Sequence, residues 1–219
     1  MTTTMKDKIK HHLTDALLLA YSAGNLPEAF NLTVAAHISM CDDCRARLAA
    51  FDSVGGALVE ESEAVEMSSG SLSAVMERLK DPVEGPKEHC KDKGILPAPL
   101  QDYIGGDIGA VRWTSVGMGV KQAILPTSRD ATARLLFIPA GAAVPDHGHH
   151  GTELTLVIKG AFADSVDHFG PGDIEVANED LDHTPVADIG EDCICLAATD
   201  APLKFKGLIP RLAQPFLRI

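Results

Sequence analysis

Three side chains that suit a zinc ion fall within eight residues of one another in His37-Ile-Ser-Met-Cys41-Asp-Asp-Cys44. On a helix the four-residue step from His37 to Cys41 keeps both on one face, and Cys44 follows three residues later on the same stripe. Two thiolates and an imidazole are donors that tetrahedral Zn²⁺ accepts, and a closed structural site wants a fourth. His11 and His12 each supply one, and spacing alone does not choose between them. A second constellation lies in the C-terminal half, Gly141-x5-His147-x-His149-x3-Glu153-x6-Gly160. Alternation along a strand aims His147 and His149 at one face, with the Glu153 carboxylate close behind. Imidazoles with a carboxylate accept Zn, Fe, Mn or Ni, so the donor set leaves the ion open.

Two kinds of element must hold these groups. Between Thr14 and Lys80 apolar residues recur at helical spacing, as Leu17, Leu18 and Tyr21, then Phe30, Val34 and His37, then Leu48, Phe51, Val54 and Leu58, then Leu72, Val75 and Leu79. Four helices are expected, with Gly24-Asn25 ending the first, Pro27 opening the second, Gly55-Gly56 bending the third and Ser68 to Ser71 preceding the fourth. A bundle of about 80 residues is marginal by buried area, which gives a metal staple a physical reason to exist. From Asp81 to Pro99 the pattern dissolves into prolines, glycines and charges and reads as a linker. Beyond it, short β-like runs cover 110–114, 120–125, 131–138, 153–158, 173–176, 193–198 and 203–205, broken by turns such as Pro139-Ala-Gly141 and Gly170-Pro-Gly172. The expected fold is therefore multidomain α + β: a small four-helix zinc-binding domain over 1–80, a linker over 81–99, and an antiparallel β-barrel or jelly roll over 100–219.

Composition narrows the function. The chain has 219 residues, 45% hydrophobic and 23% charged, enough for a real core. No apolar run spans a bilayer and the N-terminus lacks the apolar stretch of a secretion signal, so a cytoplasmic protein is expected. Five cysteines, an odd number, fit metal binding and free thiols better than a disulfide framework. A net charge of −12 argues against direct nucleic-acid binding.

The motifs carry two resemblances. His12, then His37-x3-Cys41-x2-Cys44 and Arg45-Ala-Arg47, together with His-His-Leu-Thr-Asp-Ala-Leu-Leu-Leu-Ala-Tyr-Ser-Ala-Gly at 11–24, resemble the zinc-binding anti-sigma domain in its ChrR-type cytoplasmic branch. That resemblance implies His12, His37, Cys41 and Cys44 as zinc ligands. It also implies a domain that wraps an extracytoplasmic-function sigma factor and keeps it from RNA polymerase. From their apolar helix faces, Leu17, Leu18, Tyr21 and the helix from Leu72 to Leu79 are the expected contacts, with burial within the domain itself an equal alternative for any one of them. The second constellation matches the first cupin motif in full, and counting from Gly172 puts His183 at the histidine position of the second. There, Asn178, Asp180 and Ala187 replace the usual Pro, Gly and Asn. The resemblance thus implies a 3-His-1-Glu centre of His147, His149, Glu153 and His183, and two zinc ions per chain, the second being zinc or another divalent metal. In ChrR-type proteins the cupin is the module needed for release of the sigma factor under singlet oxygen or related oxidants, which makes the chain a regulator and not an enzyme. The competing reading is a metal-dependent cupin dioxygenase or isomerase with an accessory helical domain.

Other groups read more plainly. Cys193-Ile-Cys195 puts two thiols on one strand face, as buried residues first and as a redox pair second. Cys90 beside His89 reads as a lone thiol, and Trp113 as core. His150 and His168 read as surface histidines or supports of the metal ligands, and Glu60-Glu61-Ser-Glu63 as a solvated helix face.

Overall fold

The computed structural model describes residues 9–80, 94–205 and 207, so Cys90 and most of the expected linker lie outside the described residues. Thr14 opens helix α1, Asp15–Ser22, by accepting the Leu17 amide on its hydroxyl at 3.3 Å. Gly24, in the left-handed region at φ +69°, turns the chain behind it. Helix α2, Glu28–Met40, starts after Pro27 with an acidic residue in its first turn. Helix α3, Asp42–Glu60, runs through Gly55 and Gly56 without a break, and α4, Ser71–Arg78, follows. A fifth helix, α5, Ala98–Ile104, was not expected from the sequence. Pro99 sits in its first turn, where no amide partner is required, and Gly105 closes it at φ +82°.

The remainder is β. Strands β1 (Thr114–Gly117), β2 (Val120–Ile124), β3 (Thr132–Ile138), β5 (Glu153–Lys159), β8 (Ile174–Ala177) and β11 (Cys193–Thr199) form an antiparallel six-stranded sheet in the order β1-β2-β3-β11-β5-β8. Short strands β4 (His147–Gly148), β6 (Phe162–Ala163), β7 (His168–Phe169), β9 (Asp182–His183), β10 (Val186–Ala187) and β12 (Lys204–Phe205) make two three-stranded sheets, β10-β6-β7 and β12-β4-β9. The strand expected from Ala110 begins only at Thr114. Residues Ile108–Ala110 form a 3-10 turn instead, behind Asp107, whose carboxylate gathers the amides of Ile95 and Leu96.

Period-two alternation gives the large sheet two unlike faces. Leu135, Leu154, Leu156, Leu196 and Ala198 point outward and share one core with Leu13, Leu18, Phe30 and Val34 of the helical region. Their neighbours Arg134, Leu136, Glu153, Thr155, Cys195 and Ala197 line a cavity of about 360 Å³ on the other face. Both faces are therefore buried, so all but the last residue of β5 and of β11 is buried, Glu153 and Thr155 included. Helix α2 lies across the outer face of β3, β5 and β11. Polar ties reinforce that contact: Glu28 at the head of α2 accepts the Tyr103 hydroxyl at 2.9 Å and the Ser128 amide at 2.6 Å.

This packing corrects one expectation. Leu18 is fully buried, and Leu17 and Tyr21 pack against the shared core, so α1 does not offer them as an open contact surface. The expected helix from Leu72 to Leu79 does the opposite. Leu72 (74%), Val75, Met76 and Leu79 (68%) all stand in solvent, as do Val54, Leu58 and Val59 in the second half of α3.

Candidate metal centres

The first group is built at a corner. His37 occupies the last turn of α2, Cys41 is the break between α2 and α3, and Cys44 lies in the first turn of α3. The single helix read across these residues is interrupted because Cys41 leaves helical geometry (φ −110°, ψ 107°). Its sulfur then accepts the Cys44 amide at 3.4 Å as the N-cap of α3, with Asp42 and Asp43 complementing the new helix dipole. The chain ahead of α1 brings His12 over this corner, with Nδ1 3.3 Å from Cys41 Sγ and 3.6 Å from Cys44 Sγ. The donor atoms of His12, His37, Cys41 and Cys44 all lie within 4.8 Å of one another. His11 turns away, its ring 3.1 Å from Asp167 and stacked obliquely on Phe169 at 4.4 Å. Arg47 fixes the entry to α1 from α3, donating to the Leu13 carbonyl at 3.0 Å and to the Asp15 carboxylate.

These groups fit a zinc ion on their own chemistry. Both ring nitrogens of His37 are buried without a hydrogen-bond partner, a costly arrangement that a bound cation would relieve. Burial pushes the His37 pKa down to about 4, so at neutral pH the ring is an uncharged donor. Burial likewise pushes the Cys44 thiol up to about 11, a cost that coordination of the thiolate would reverse.

The second group is set by strand register. Pairing of β4 with β9 puts His147 directly opposite His183, and the two Nε2 atoms face each other at 3.3 Å. His147 Nδ1 donates to the Pro145 carbonyl at 2.8 Å and His183 Nδ1 to Asp164 at 2.7 Å. With Nδ1 as its donor, His147 presents a lone pair on Nε2, and His183 would present one there on giving up its Nε2 proton in favour of a cation bound between the two rings. His149, buried, has both ring nitrogens unpartnered, and its donor atom joins those of His147 and His183 within 4.8 Å. Glu153 stands beside this trio rather than inside it: one oxygen is 3.6 Å from His149 Nδ1 and the other accepts the Thr155 hydroxyl at 2.9 Å. Burial lowers the pKa of His147 and of His149, keeping both neutral and able to coordinate.

Sequence reading missed the carboxylates behind His183. Asp164 and Glu175 both approach its Nδ1, at 2.7 and 3.3 Å, and all three side chains are buried. Burial alone would suppress charge on His183, but the two carboxylates outweigh it and raise its pKa to about 9; burial raises that of Glu175. Only the acidic character of these positions could have hinted at the role, and the chain has 31 acidic residues. The two thiols of Cys193 and Cys195 lie 3.4 Å apart on the inner side of β11, and their mutual hydrogen bond together with burial raises the Cys195 pKa well above its usual value. His168 pairs with Asp188 at 2.9 Å, His150 is exposed, and Trp113 lies half-buried against Phe137.

The model of the ChrR cupin-like domain matches residues 101–202. The chain is 58% identical over 211 residues to the anti-sigma-E factor ChrR of Cereibacter sphaeroides, a match that covers 96% of this chain and 99% of that protein. Among solved structures, the Rhodobacter sphaeroides complex of SigE with the anti-sigma ChrR matches at a TM-score of 0.80 and 58% identity, covering 88% of this chain and 100% of the matched one. Those relatives are regulators, not enzymes. With a helical region holding a His2Cys2 cluster, a histidine-lined β-barrel, and this identity along nearly its whole length, the chain belongs to the ChrR family of anti-sigma factors.

Proposed function

We propose that this protein is a cytoplasmic anti-sigma factor that sequesters an extracytoplasmic-function sigma factor through its helical part, residues 1–80, and lets it go when the cupin part, 100–219, meets an oxidant such as singlet oxygen. The observation that carries the sequestering role is the exposed apolar surface of α3 and α4. Leu58, Val59, Leu72, Val75 and Leu79 are between 49% and 74% exposed, and an apolar surface of this extent marks a protein contact. The solved complex of SigE with ChrR named above supplies the class of partner.

His12, His37, Cys41 and Cys44 would hold a structural Zn²⁺, and His147, His149, Glu153 and His183 a second divalent cation. Bound there, each ion supplies a cross-link of fixed geometry between elements that are otherwise held by few contacts. The roles differ by surroundings. None of the helical cluster's ligands lines the 360 Å³ lumen, whereas His147, Glu153 and His183 do, and there a small reactive molecule finds room beside oxidisable imidazoles and the Cys195 thiol. The oxidant response is therefore assigned to the barrel.

Co-expression with an extracytoplasmic-function sigma factor tests this reading. The full chain should co-purify with it, and Leu72→Asp with Leu79→Asp should abolish the complex while leaving the chain folded. A complex that survives the double substitution contradicts the proposed surface.

A further inference from the structure

His11, which takes no part in the zinc cluster, is held by two acidic residues whose chain neighbours hold His183. On one side, Asp173 Oδ1 accepts the backbone amides of Lys10 at 2.6 Å and His11 at 2.9 Å, and the Ile174 amide donates to the His11 carbonyl at 3.3 Å. Two residues further along, Glu175 lies 3.3 Å from His183 Nδ1. On the other side, Asp167 lies 3.1 Å from His11 Nε2, while Asp164, three residues before it, accepts from His183 Nδ1 at 2.7 Å. The Asp164–Asp167 loop is itself stiff, because Asp164 Oδ1 also takes the amides of Val166 and Asp167 at 2.8 and 3.1 Å. Gly172 completes the seat. A Cβ there would come within 2.6 Å of Ile9, so the β7–β8 turn and the chain ahead of His12 approach closely.

We propose that these two struts, Asp164 to Asp167 and Asp173 to Glu175, are positioning elements that couple the barrel's histidine centre to the zinc cluster, with His11 as the coupler. The physical reason is short leverage. His183 moves neither carboxylate without disturbing a segment of three or four residues, and both segments end on His11, whose neighbour His12 is a donor in the helical cluster. The proposal rests on both clusters holding metal, as argued above. It assigns the polar residues between the centres a task beyond packing, since an apolar contact would have joined the two regions without linking their ligands. Coupling of this kind is reciprocal in binding: a metal in the barrel centre changes zinc affinity at the helical cluster by the same factor as zinc there changes metal affinity in the barrel.

The test uses the metal-loaded full chain and four versions of it: unchanged, His147→Ala, Asp173→Ala, and both. Amide exchange at Lys10 and His11 and the rate at which a chelator removes the cysteine-bound zinc are measured in each. His147 touches neither strut, so its replacement reaches residues 10–12 only through the coupling. The expected result is exchange and zinc loss about fivefold faster or more in His147→Ala. Asp173→Ala should behave likewise, and the double variant should be no worse than the stronger single one. If His147→Ala leaves both readouts unchanged, or if the two effects multiply as independent changes do, the coupling is overturned. Sigma-factor co-purification on the same samples separates this from the proposed function. A chain that binds no sigma factor yet shows the coupling refutes only the function, and one that binds it without coupling refutes only the struts.

Discussion

The two histidine centres are built on opposite plans. The helical cluster draws its donors from residues 12 to 44, and its geometry comes from one corner where Cys41 both ends α2 and caps α3. Its donors face one another, and neither ring nitrogen of the buried His37 has a hydrogen-bond partner. The barrel centre draws on β4, β5 and β9, is placed by the opposition of His147 and His183 across a strand pair, is braced from behind by Asp164 and Glu175, and faces an open lumen. Four donors gathered in one cluster suit a staple, while a braced cluster at a cavity suits a site that meets a small molecule. This difference is the ground for the proposal that one centre is structural and the other responds.

The comparison breaks first at the cysteines. Cys41→Ala with Cys44→Ala is expected to remove about one metal per chain by elemental analysis, to unfold the corner between α2 and α3, and to abolish sigma-factor binding altogether. His147→Ala or His183→Ala is expected to weaken the second metal, measured by competition with a chelator, and to silence the response to oxidant while the sigma factor still co-purifies. Loss of partner binding in both sets would erase the division of labour.

Leu18→Ala tests the packing that joins the regions. Leu18 is fully buried in the core shared by α1, α2 and the outer face of the large sheet, so the substitution is expected to cost about 2–5 kcal/mol by denaturant titration. Proton linkage at His37 should be of similar or smaller size. Its folded pKa of about 4 lies below the unfolded value of 6.5, so as pH falls the unfolded chain binds the proton first. Stability of the metal-free chain should hold above pH 7 and decline between about pH 6.5 and 4, by roughly 3 kcal/mol from this group. His37→Gln should flatten that decline. The smallest effect on the chain itself belongs to Leu72→Ser, which should change stability by no more than about 0.5 kcal/mol because the side chain is exposed, while still weakening the partner complex.

Ligand type and spacing made much of this legible from sequence. His37, Cys41 and Cys44 are close in the chain, and local spacing survives folding even though the helix across them proved to be two. Strand alternation likewise placed the Cys193 and Cys195 thiols on one face of β11, where they lie 3.4 Å apart. What the sequence could not disclose depends on distant pairing. Asp164 and Glu175 reach His183 only because the strands bring them there, and the tie between Glu28, Tyr103 and Ser128 joins residues about 100 positions apart in the chain. The burial of Leu18 follows from α1 packing on α3 and α2 within the shared core, a set of contacts with no local signature. Exposure of the apolar face of α4 was equally hidden, since helical periodicity says which residues share a face but not whether anything covers it.

The account stands most directly on one co-purification. With an extracytoplasmic-function sigma factor as bait, the unchanged chain and His147→Ala should both be retained in a complex, and the Cys41→Ala, Cys44→Ala chain should not. A cysteine-free corner that still holds the sigma factor, or a complex that needs His147 in the absence of any oxidant, would contradict the assignment of grip to the helices and response to the barrel.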